Sequence, residues 1–288
     1  MKKVLVVIAL LCLMVADVYA GGVLRLGKVS SSPINYANEG VIYVKEDGGA
    51  SFDSYTKLLL HCDGTDQSTT FTDSATSKTV TANGNAQIDT ASYKFSTAAG
   101  LFDGNGDYLS LADSDDWSFG TGDFTIDFWI KFNSASGNQG LFQQYADSSN
   151  RTVLSFESNL LRFSICDGGS YTCHYYGSWS PTAGTWYHLA LVRSSSNVYI
   201  FINGSALNLT TSIAINTVPN IAGCFEFGRG YFNSTQNYFN GALDEVRISK
   251  GIARWTSNFT APSEAYAPTA ATTSLYYMDP EGNEFKLN

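Results

Sequence analysis

Residues and motifs that carry common enzymatic chemistry are scarce in this sequence. It has three histidines, His61, His174 and His188, and no His-Glu-x-x-His motif, which excludes the metal-binding helix of one large class of zinc protease. It has no Gly-x-Ser-x-Gly elbow, which excludes the usual nucleophile of an α/β-hydrolase. Its Gly-x-Gly pairs lack the third glycine of a dinucleotide-binding loop. These absences predict that the protein is not an enzyme.

Charged residues are also few, at 15% of the sequence, and the formal net charge is -9. An acidic surface repels the phosphates of nucleic acids and the headgroups of anionic membranes. We therefore expect neither as a partner, although the same charge could serve solubility alone.

Long apolar runs are missing except at the N-terminus. There, Lys2 and Lys3 precede the apolar stretch Val4–Ala16, and Ala20 suits the position before a cleavage site. The stretch is short for a membrane span. It predicts a cleaved signal peptide at residues 1–20, a secreted or cell-surface location and no membrane insertion, with a single anchor helix as the alternative.

Cysteine is sparse, and Cys12 falls within the predicted signal peptide. Four cysteines remain, and an even count in an exported chain suggests disulfides. Cys166 and Cys173 bracket a turn-like insert, so we predict a bridge that closes a hairpin between them. Cys62 and Cys224 would then form the second pair. Free thiols that fill core positions are the alternative for Cys62 and Cys224.

Short strands and turn residues dominate the sequence from Lys57 onward. In Asp123–Asn133 five apolar residues recur at every second position, which favours a strand over a helix. Thr185–Arg193 and Asn197–Asn203 flank three serines and predict a hairpin. Many such strands predict an all-β fold of two packed antiparallel sheets. The one helical turn that we predict is at Gly251–Trp255.

The strand predicted at Asn240–Arg254 holds an unusual carboxylate. Strand periodicity assigns Asp244 to the same face as Val246 and Ile248, which should be dry, and Glu245 to the opposite, solvated face. A carboxylate on a dry face is costly unless it is hydrogen-bonded, paired or bound to a metal ion.

The ends of the chain carry weaker signals. Residues 21–56 form an N-terminal extension with a short strand at Gly40–Gly48, and residues 267–288 form a linker followed by a C-terminal β-hairpin. We expect these two pieces to associate, with the main domain, residues 57–266, inserted between them.

Eight short sequence segments in the main domain resemble those of a known family. In chain order the segments are Leu58–Gly64, Phe71–Ser74, Asn83–Gln87, Phe102–Leu109, Phe119–Ile126, Gly184–His188, Asn240–Ile248 and Ala253–Thr260. In this order they resemble a laminin-G-like domain of the concanavalin A-like lectin/glucanase superfamily over Lys57–Tyr266. The resemblance implies a jelly-roll sandwich in which Asp63 and Asp244 lie close together on neighbouring strands. Cys62 departs from the pattern, which usually has an aromatic or aliphatic residue there.

The flanking segments carry a second, weaker resemblance. Tyr43–Gly48 and Leu275–Glu284 are similar to segments that border receptor-binding domains in tail and fibre proteins of bacteriophages. This resemblance implies an assembly role, although a signal peptide is unusual in a virion protein.

Three carboxylates are candidate ligands of a structural calcium ion, because Ca²⁺ prefers carboxylate and carbonyl oxygens. They are Asp63, Asp73 and Asp244. For Asp244 a hydrogen-bonded, metal-free role is the alternative. Asp103 and Asp107 lie in an Asp-Gly-rich stretch without the closing glutamate of an EF-hand, and we predict that they cap a turn.

Aromatic and polar side chains cluster in two stretches that could bind a sugar. Lectin-like sites place aromatic rings against the apolar side of a sugar and polar groups against its hydroxyls. The candidate ligand-binding residues are Tyr171, Tyr175, Tyr176, Trp179, Tyr231 and Asn233.

These observations predict an exported, non-enzymatic recognition or adhesion domain for glycans or cell-surface polymers. One alternative is a structural module of a filament or virion fibre, which would be a homo-oligomer. A second is a divergent glycoside hydrolase, although the sequence has no Glu-x-Asp-x-Glu run to supply the two carboxylates that such enzymes need.

Overall fold

The computed structural model describes residues 41–47, 52–268, 272–279, 281 and 283–287. They belong to two compact units, one of residues 52–267 and one from the two ends of the chain. The predicted signal peptide and residues 21–40 lie outside the described residues. The described part contains no helix that is long and apolar enough to cross a membrane.

Strands make up nearly all the regular structure of the described residues. They are β1 Val41–Asp47, β2 Thr56–Leu60, β3 Thr81–Asn83, β4 Gln87–Asp89, β5 Ala99–Asp103, β6 Tyr108–Leu111, β7 Phe124–Phe132, β8 Asn138–Asp147, β9 Asn150–Glu157, β10 Leu160–Asp167, β11 Ser170–Ser178, β12 Trp186–Ser194, β13 Asn197–Ile202, β14 Ser205–Ala206, β15 Thr210–Ile213, β16 Cys224–Phe227, β17 Arg229–Phe232, β18 Thr235–Tyr238, β19 Asn240–Lys250, β20 Thr272–Met278 and β21 Glu284–Leu287. A single 3-10 turn, Asp115–Trp117, completes the described elements.

The larger unit is a sandwich of two antiparallel sheets, as predicted. Sheet A has the strand order β15-β11-β10-β9-β8-β16-β6-β3, and the hairpin β17–β18 follows β16. Sheet B has the order β14-β13-β12-β7-β19-β5-β4, and β2 also pairs with β19. The strand β19, near the end of the unit, therefore pairs with β2, which opens it.

The space between the sheets is filled with aromatic and aliphatic side chains. The five apolar residues of β7 at period two all belong to this core, as predicted. Across the sandwich, the ring centroid of Phe128 on β7 lies 6.4 Å from that of Phe227 on β16. Each fully buried side chain of this size stabilises the fold by about 1.5–3 kcal/mol.

The face assignment for β19 is wrong over its first half because the strand contains a β-bulge. Glu245 has a φ of +50°, and the register with β7 shifts between Asp244 and Arg247. An extra residue in one strand reverses the side-chain alternation beyond it. Leu243 therefore faces the core together with Val246, and Asp244 lies on the outer face of sheet B. Glu245 is buried, at 1% exposure, rather than solvated.

The segment that follows β19 covers part of that outer face. The helical turn predicted at Gly251–Trp255 is wrong, because these residues form bends without a helix. Trp255 and Phe259 stack on each other with centroids 4.0 Å apart and pack against Phe201 and its buried neighbours. Their burial requires an extended path over the sheet.

The cysteine pairing predicted from the sequence is also wrong, since all four described cysteines are free. Cys173 lies in the core opposite Ile165, whereas Cys166 is the next residue along β10 and takes the outer face. Side chains on opposite faces of a sheet cannot form a disulfide without turning a strand. Cys62 is buried beyond β2 of sheet B, and Cys224 is exposed on β16 of sheet A.

The second unit is a three-stranded antiparallel sheet of order β1-β20-β21. Val41 pairs with Met278 and Asp47 with Thr272, so the two terminal pieces pair as the sequence suggested. The rings of Tyr277 and Phe285 stack with centroids 6.2 Å apart.

Candidate functional site

A row of rings and guanidinium groups lies on the outer face of sheet A. Because β9, β10 and β11 are adjacent, their registers bring alternate residues side by side. We call this surface the β9–β11 strip; its residues are Arg151, Glu157, Arg162, Ser164, Tyr171, His174 and Tyr176, with Tyr231 and Asn233 from the hairpin β17–β18.

Three rings along β11 form one edge of the strip. Tyr171 and His174 are nearly parallel, with centroids 5.6 Å apart and an interplanar angle of 19°. Tyr176 lies 5.6 Å on the other side of His174. Tyr171 is 46% exposed. Burial, with a smaller contribution from the nearby Arg162, lowers the pKa of His174, so its imidazole is neutral at pH 7.

Arg162 and Glu157 lie at one end of this row. The guanidinium of Arg162 is 5.2 Å from the ring centroid of Tyr176, its direct neighbour across the strands. Its Nε atom is 3.6 Å from a carboxylate oxygen of Glu157. The other oxygen of Glu157 accepts a 2.6 Å hydrogen bond from Ser155, which holds the carboxylate at the end of the strip.

Arg151 lies at the other end and joins the sheet to the hairpin. Its guanidinium is 5.7 Å from the ring centroid of Tyr171 and 5.3 Å from that of Tyr231. Its Nε donates a 3.0 Å hydrogen bond to the carbonyl of Tyr231, and Nη1 donates to the carbonyl of Ser148. Arg151 thus fixes the position of Tyr231 beside the strip.

A buried polar network anchors the hairpin. Gln143 accepts a 2.7 Å hydrogen bond from the backbone of Tyr231 and donates one of 2.6 Å to Glu226. Glu226 also binds Arg229 through two hydrogen bonds, of 2.7 and 2.5 Å. A buried network whose members are satisfied fixes one geometry, so the hairpin is held in place over β8 and β9.

Four of the six predicted ligand-binding residues meet at the strip: Tyr171, Tyr176, Tyr231 and Asn233. The predictions for Tyr175 and Trp179 are wrong, because both side chains face the sandwich interior. Tyr175 is 5% exposed and Trp179 is 9% exposed, and both belong to the core between the sheets.

Sequence reasoning missed five residues of the strip: Arg151, Glu157, Arg162, Ser164 and His174. Alternation was the signal that could have found them, because Phe163 and Ile165 are apolar core positions and Arg162 and Ser164 are the intervening ones. The pairing between the strands, which the sequence does not state, is what brings them beside the tyrosines.

A cleft lies away from the strip, between the two sheets near the β13 and β15 edges. Its volume is about 420 Å³, and Tyr175 contributes to its lining. All of its lining residues are uncharged, with Val198, Leu207 and Leu209 among them. It therefore lacks the charged groups that distinguish the strip, and we place the candidate site on the strip.

Asp73 does not fit a metal site. Its carboxylate accepts backbone hydrogen bonds from Leu59, Ala75, Thr76 and Lys78 at 2.9 to 3.2 Å, and a further one of 2.7 Å from the hydroxyl of Thr76. These five donors occupy the oxygens that a calcium ion would need. Asp73 instead organises its loop.

Asp63 and Asp244 fit a calcium site better. Oδ2 of Asp244 accepts the backbone N–H of Lys94 and of Phe95 at 2.9 and 3.0 Å, while Oδ1 is buried without a partner. Asp63 holds the same loop through Thr97, 3.1 Å away. Burial raises the pKa of Asp244 to about 7. The described residues contain no group of three or more His, Cys, Asp or Glu suited to a metal ion, so backbone carbonyls would have to complete the coordination.

A second buried polar cluster joins sheet B to the segment after β19. Arg247 donates two hydrogen bonds to Asp127, of 3.0 and 3.1 Å, and Nε2 of His188 lies 3.4 Å from the same carboxylate. The hydroxyl of Tyr266 also donates to Asp127. Burial alone would raise the pKa of Asp127, but Arg247 and His188 outweigh it and hold that pKa well below its usual range. Trp255 and Phe259 close the cluster against His188, which makes it a structural lock.

Asp103 and Asp107 form a turn, as predicted. Asp107 accepts the backbone N–H of Asp103 at 2.9 Å, and Asp103 accepts that of Asn105 at 2.6 Å.

Solved structures with this fold include several binding domains. Domain 4 of AbnA, an extracellular GH43 arabinanase from Geobacillus stearothermophilus in complex with arabinotriose, is 19% identical with a TM-score of 0.52; the match covers 69% of this chain and 93% of that one. The binding domain of Paraclostridial Mosquitocidal Protein 1 is 15% identical with a TM-score of 0.52, covering 69% and 49%. The binding domain of Botulinum Neurotoxin DC in complex with SialylT is 17% identical with a TM-score of 0.51, also covering 69% and 49%.

The chain thus spans about half the length of the two toxin binding domains. At these identities the likeness establishes the fold, a concanavalin A-like jelly roll, as predicted. No curated protein matches the sequence. The Laminin_G_3 family, described as the concanavalin A-like lectin/glucanases superfamily, matches residues 103–254, which is more than half of the chain. The protein belongs to the concanavalin A-like lectin/glucanases superfamily.

Proposed function

We propose that the protein is a non-enzymatic recognition module that binds glycans or cell-surface polymers through the β9–β11 strip. The observation that carries this proposal is the convergence of exposed rings and polar donors on one face of sheet A. Tyr171, His174 and Tyr176 form a continuous row, and Arg162 lies beside it.

Sugar rings suit this combination of groups. Their C–H faces pack against aromatic rings, and their hydroxyls exchange hydrogen bonds with planar polar side chains. Tyr171 supplies exposed ring surface, while Ser164 and Asn233 supply hydroxyl and amide groups. The anchored hairpin keeps Tyr231 and Asn233 in place before a ligand arrives, which lowers the entropic cost of binding.

The related folds support binding as the general role. Domain 4 of AbnA was solved in complex with arabinotriose, and the binding domain of Botulinum neurotoxin DC was solved in complex with SialylT and in complex with rat synaptotagmin II. These ligands were bound by those proteins and are not assigned to this chain. They show that the fold can present a surface to sugars and to proteins, and the strip of this chain favours sugars.

The arrangement of carboxylates supports a non-enzymatic role. Glycosidases use two carboxylates on opposite sides of the bond that is cleaved. Glu157 is the one carboxylate among the strip residues, and Ser155 and Arg162 engage it. Asp244 and Glu245 are buried on sheet B, where a polymer cannot reach them.

We further propose that a calcium ion, held by Asp63, Asp244 and backbone carbonyl oxygens, stabilises the loop at residues 94–97. A cation would supply a partner for the buried Oδ1 of Asp244 and favour its ionised form. This role is structural, and the strip does not depend on the ion for its own contacts.

Export is part of the same proposal. The leader at residues 1–20 would deliver the domain to the cell surface or the medium, where glycans and other polymers are encountered. Adhesion is the form of recognition that suits such a location.

A glycan array probed with the purified chain, in calcium and in chelator, tests the proposed function. We expect binding to a restricted class of glycans, retained at least in calcium. Absence of binding to every glycan in both conditions would contradict the proposal.

The fibre alternative has one structural observation in its favour. The strands β1, β20 and β21 form a compact unit of their own, and the edge strands of a small sheet present backbone N–H and C=O groups that can pair with another chain. Measurement of the molar mass in solution tests it: a defined oligomer would favour an assembly role, and a monomer at every concentration would count against it.

A further inference from the structure

Arg162 has hydrogen-bonding capacity that the protein does not use. No hydrogen bond from its guanidinium is seen within the described residues, and Nε is buried without a partner. The nearest carboxylate, that of Glu157, stays 3.6 Å from Nε. The side chain is 27% exposed, so its outer N–H groups can meet a ligand on the strip.

The position of this guanidinium is nevertheless fixed. One of its faces lies against the ring of Tyr176 at 5.2 Å, and its strand is flanked on both sides by hydrogen-bonded neighbours. A guanidinium that is held by stacking presents its planar fork of N–H donors without losing further side-chain entropy. A carboxylate fits such a fork with two parallel hydrogen bonds.

The charge of the strip differs from that of the whole protein. Arg151 and Arg162 contribute two positive charges, and Glu157 contributes one negative charge. Because Ser155 donates to Glu157 at 2.6 Å, that carboxylate is stabilised by more than Arg162 alone. The residues of the strip therefore carry a net charge of +1 on a chain whose formal net charge is -9, and Asp147 adds a negative charge near Arg151, at the end away from Arg162.

We propose that the strip recognises acidic polysaccharides, with the carboxylate of a uronic acid or similar sugar bound by Arg162 and the sugar rings lying along Tyr176, His174 and Tyr171. This inference rests on the proposed glycan-binding function and names its substrate class. The rest of the acidic surface repels a polyanion, so binding is confined to the strip.

The test compares each acidic polymer with its carboxyl-reduced counterpart, which keeps the same backbone and loses only the charge. Polygalacturonate, alginate and hyaluronate are used in both forms, with wild-type protein and Arg162→Gln, Arg162→Lys and Arg254→Gln. Arg254 lies outside the strip and pairs with Asp53, so its variant removes the same charge elsewhere. Binding is measured by isothermal titration calorimetry at fixed salt concentration.

We expect wild-type protein and Arg254→Gln to prefer at least one acidic polymer over its reduced form by about tenfold or more. Arg162→Gln should lose this preference, and Arg162→Lys should keep only part of it, because lysine has the charge without the fork. Equal affinity for acidic and reduced forms, or an undiminished preference in Arg162→Gln, would overturn the inference. Binding to neutral glycans alone would also overturn it and leave the proposed function intact, whereas no glycan binding at all would contradict both.

Discussion

A Cβ atom on Gly140 would lie 1.9 Å from the backbone nitrogen of Gly230. The hairpin β17–β18 thus rests backbone against backbone on β8, and this contact sets the position of Tyr231 and Asn233 over the strip. Any side chain at Gly140 must push the hairpin away from the sheet.

The variant Gly140→Ala should therefore weaken both stability and glycan binding. Overpacking at this contact is expected to cost about 1–3 kcal/mol of unfolding free energy, and displacement of the hairpin should reduce affinity by about tenfold. Urea unfolding and calorimetric titration measure the two effects. Gly137→Ala is the matched control: a Cβ there meets nothing within 4 Å, although its φ of +78° costs a residue with a Cβ about 1–2 kcal/mol. If Gly140→Ala binds as tightly as Gly137→Ala, the hairpin does not position the strip.

Removal of the carboxylate at the centre of the lock on sheet B should destabilise the protein strongly. Asp127→Asn leaves the charge of Arg247 buried without its partner, at an expected cost of about 3–5 kcal/mol. The control Asp116→Asn breaks the more exposed pair with Lys78, 2.6 Å apart, and should cost less than about 1 kcal/mol. Equal losses in guanidinium-induced unfolding would show that Asp127 does not anchor the segment after β19.

The environment of His174 predicts how the stability of the folded protein depends on pH. Burial, with Arg162 nearby, lowers its pKa in the folded state, so the unfolded chain takes up this proton first as the pH falls. Stability from this group is therefore present above about pH 6.5 and is lost on acidification through the folded-state pKa.

The comparison of wild type with His174→Gln isolates this effect. The pKa of His61 is raised by its hydrogen bond to Glu245, and its contribution has the opposite sign, but it is common to both proteins. The wild type should lose stability relative to His174→Gln between about pH 7 and pH 5. Parallel stability curves across this range would contradict the assignment.

The thiols provide a test of the sheet faces. In the native protein Cys224 alone among the four should react quickly with a thiol reagent, because Cys62, Cys166 and Cys173 are buried. Unfolding should expose the other three thiols to the reagent. A reducing agent should change neither the number of thiols that react in the native protein nor the number that react after unfolding. Two thiols missing after denaturation would indicate a disulfide, and peptide mapping of that disulfide to Cys166 and Cys173 would place both side chains on the same face.

Calcium should act through Asp244 and not through Asp73. Added calcium is expected to raise the melting temperature of the wild type, and Asp244→Asn should abolish that shift. Asp73→Asn should lower the melting temperature, because it removes a hydrogen-bonded loop anchor, yet keep the response to calcium. No shift in the wild type with calcium or chelator would remove the calcium proposal.

Much of the sandwich could be predicted from alternation alone. The five apolar residues of β7 predicted both a strand and its buried face. Turn residues placed the hairpin between β12 and β13. Such signals are local, so a single segment of sequence contains them.

The errors arose where one residue changes what its neighbours face. Glu245 adopts a left-handed backbone conformation that only the surrounding sheet stabilises, and the resulting bulge moved Asp244 to the outer face. The predicted sugar-binding cluster mixed Tyr176 with Tyr175, which alternation separates. Tyr171 has the parity of Tyr175 and joins Tyr176 on the outer face because the register of β10 and β11 shifts between Ile165 and Cys166. The partners of these rings, Arg151 and Arg162, come from adjacent strands, and strand order is a property of the whole fold.

The most direct test of glycan recognition by the strip is the affinity of Tyr171→Ala for a glycan that the wild type binds. Tyr93 is the matched control, since it is also 46% exposed and lies outside the strip. We predict that Tyr171→Ala loses at least about tenfold in affinity and that Tyr93→Ala binds as the wild type does. Undiminished binding by Tyr171→Ala, or an equal loss in Tyr93→Ala, would contradict the account.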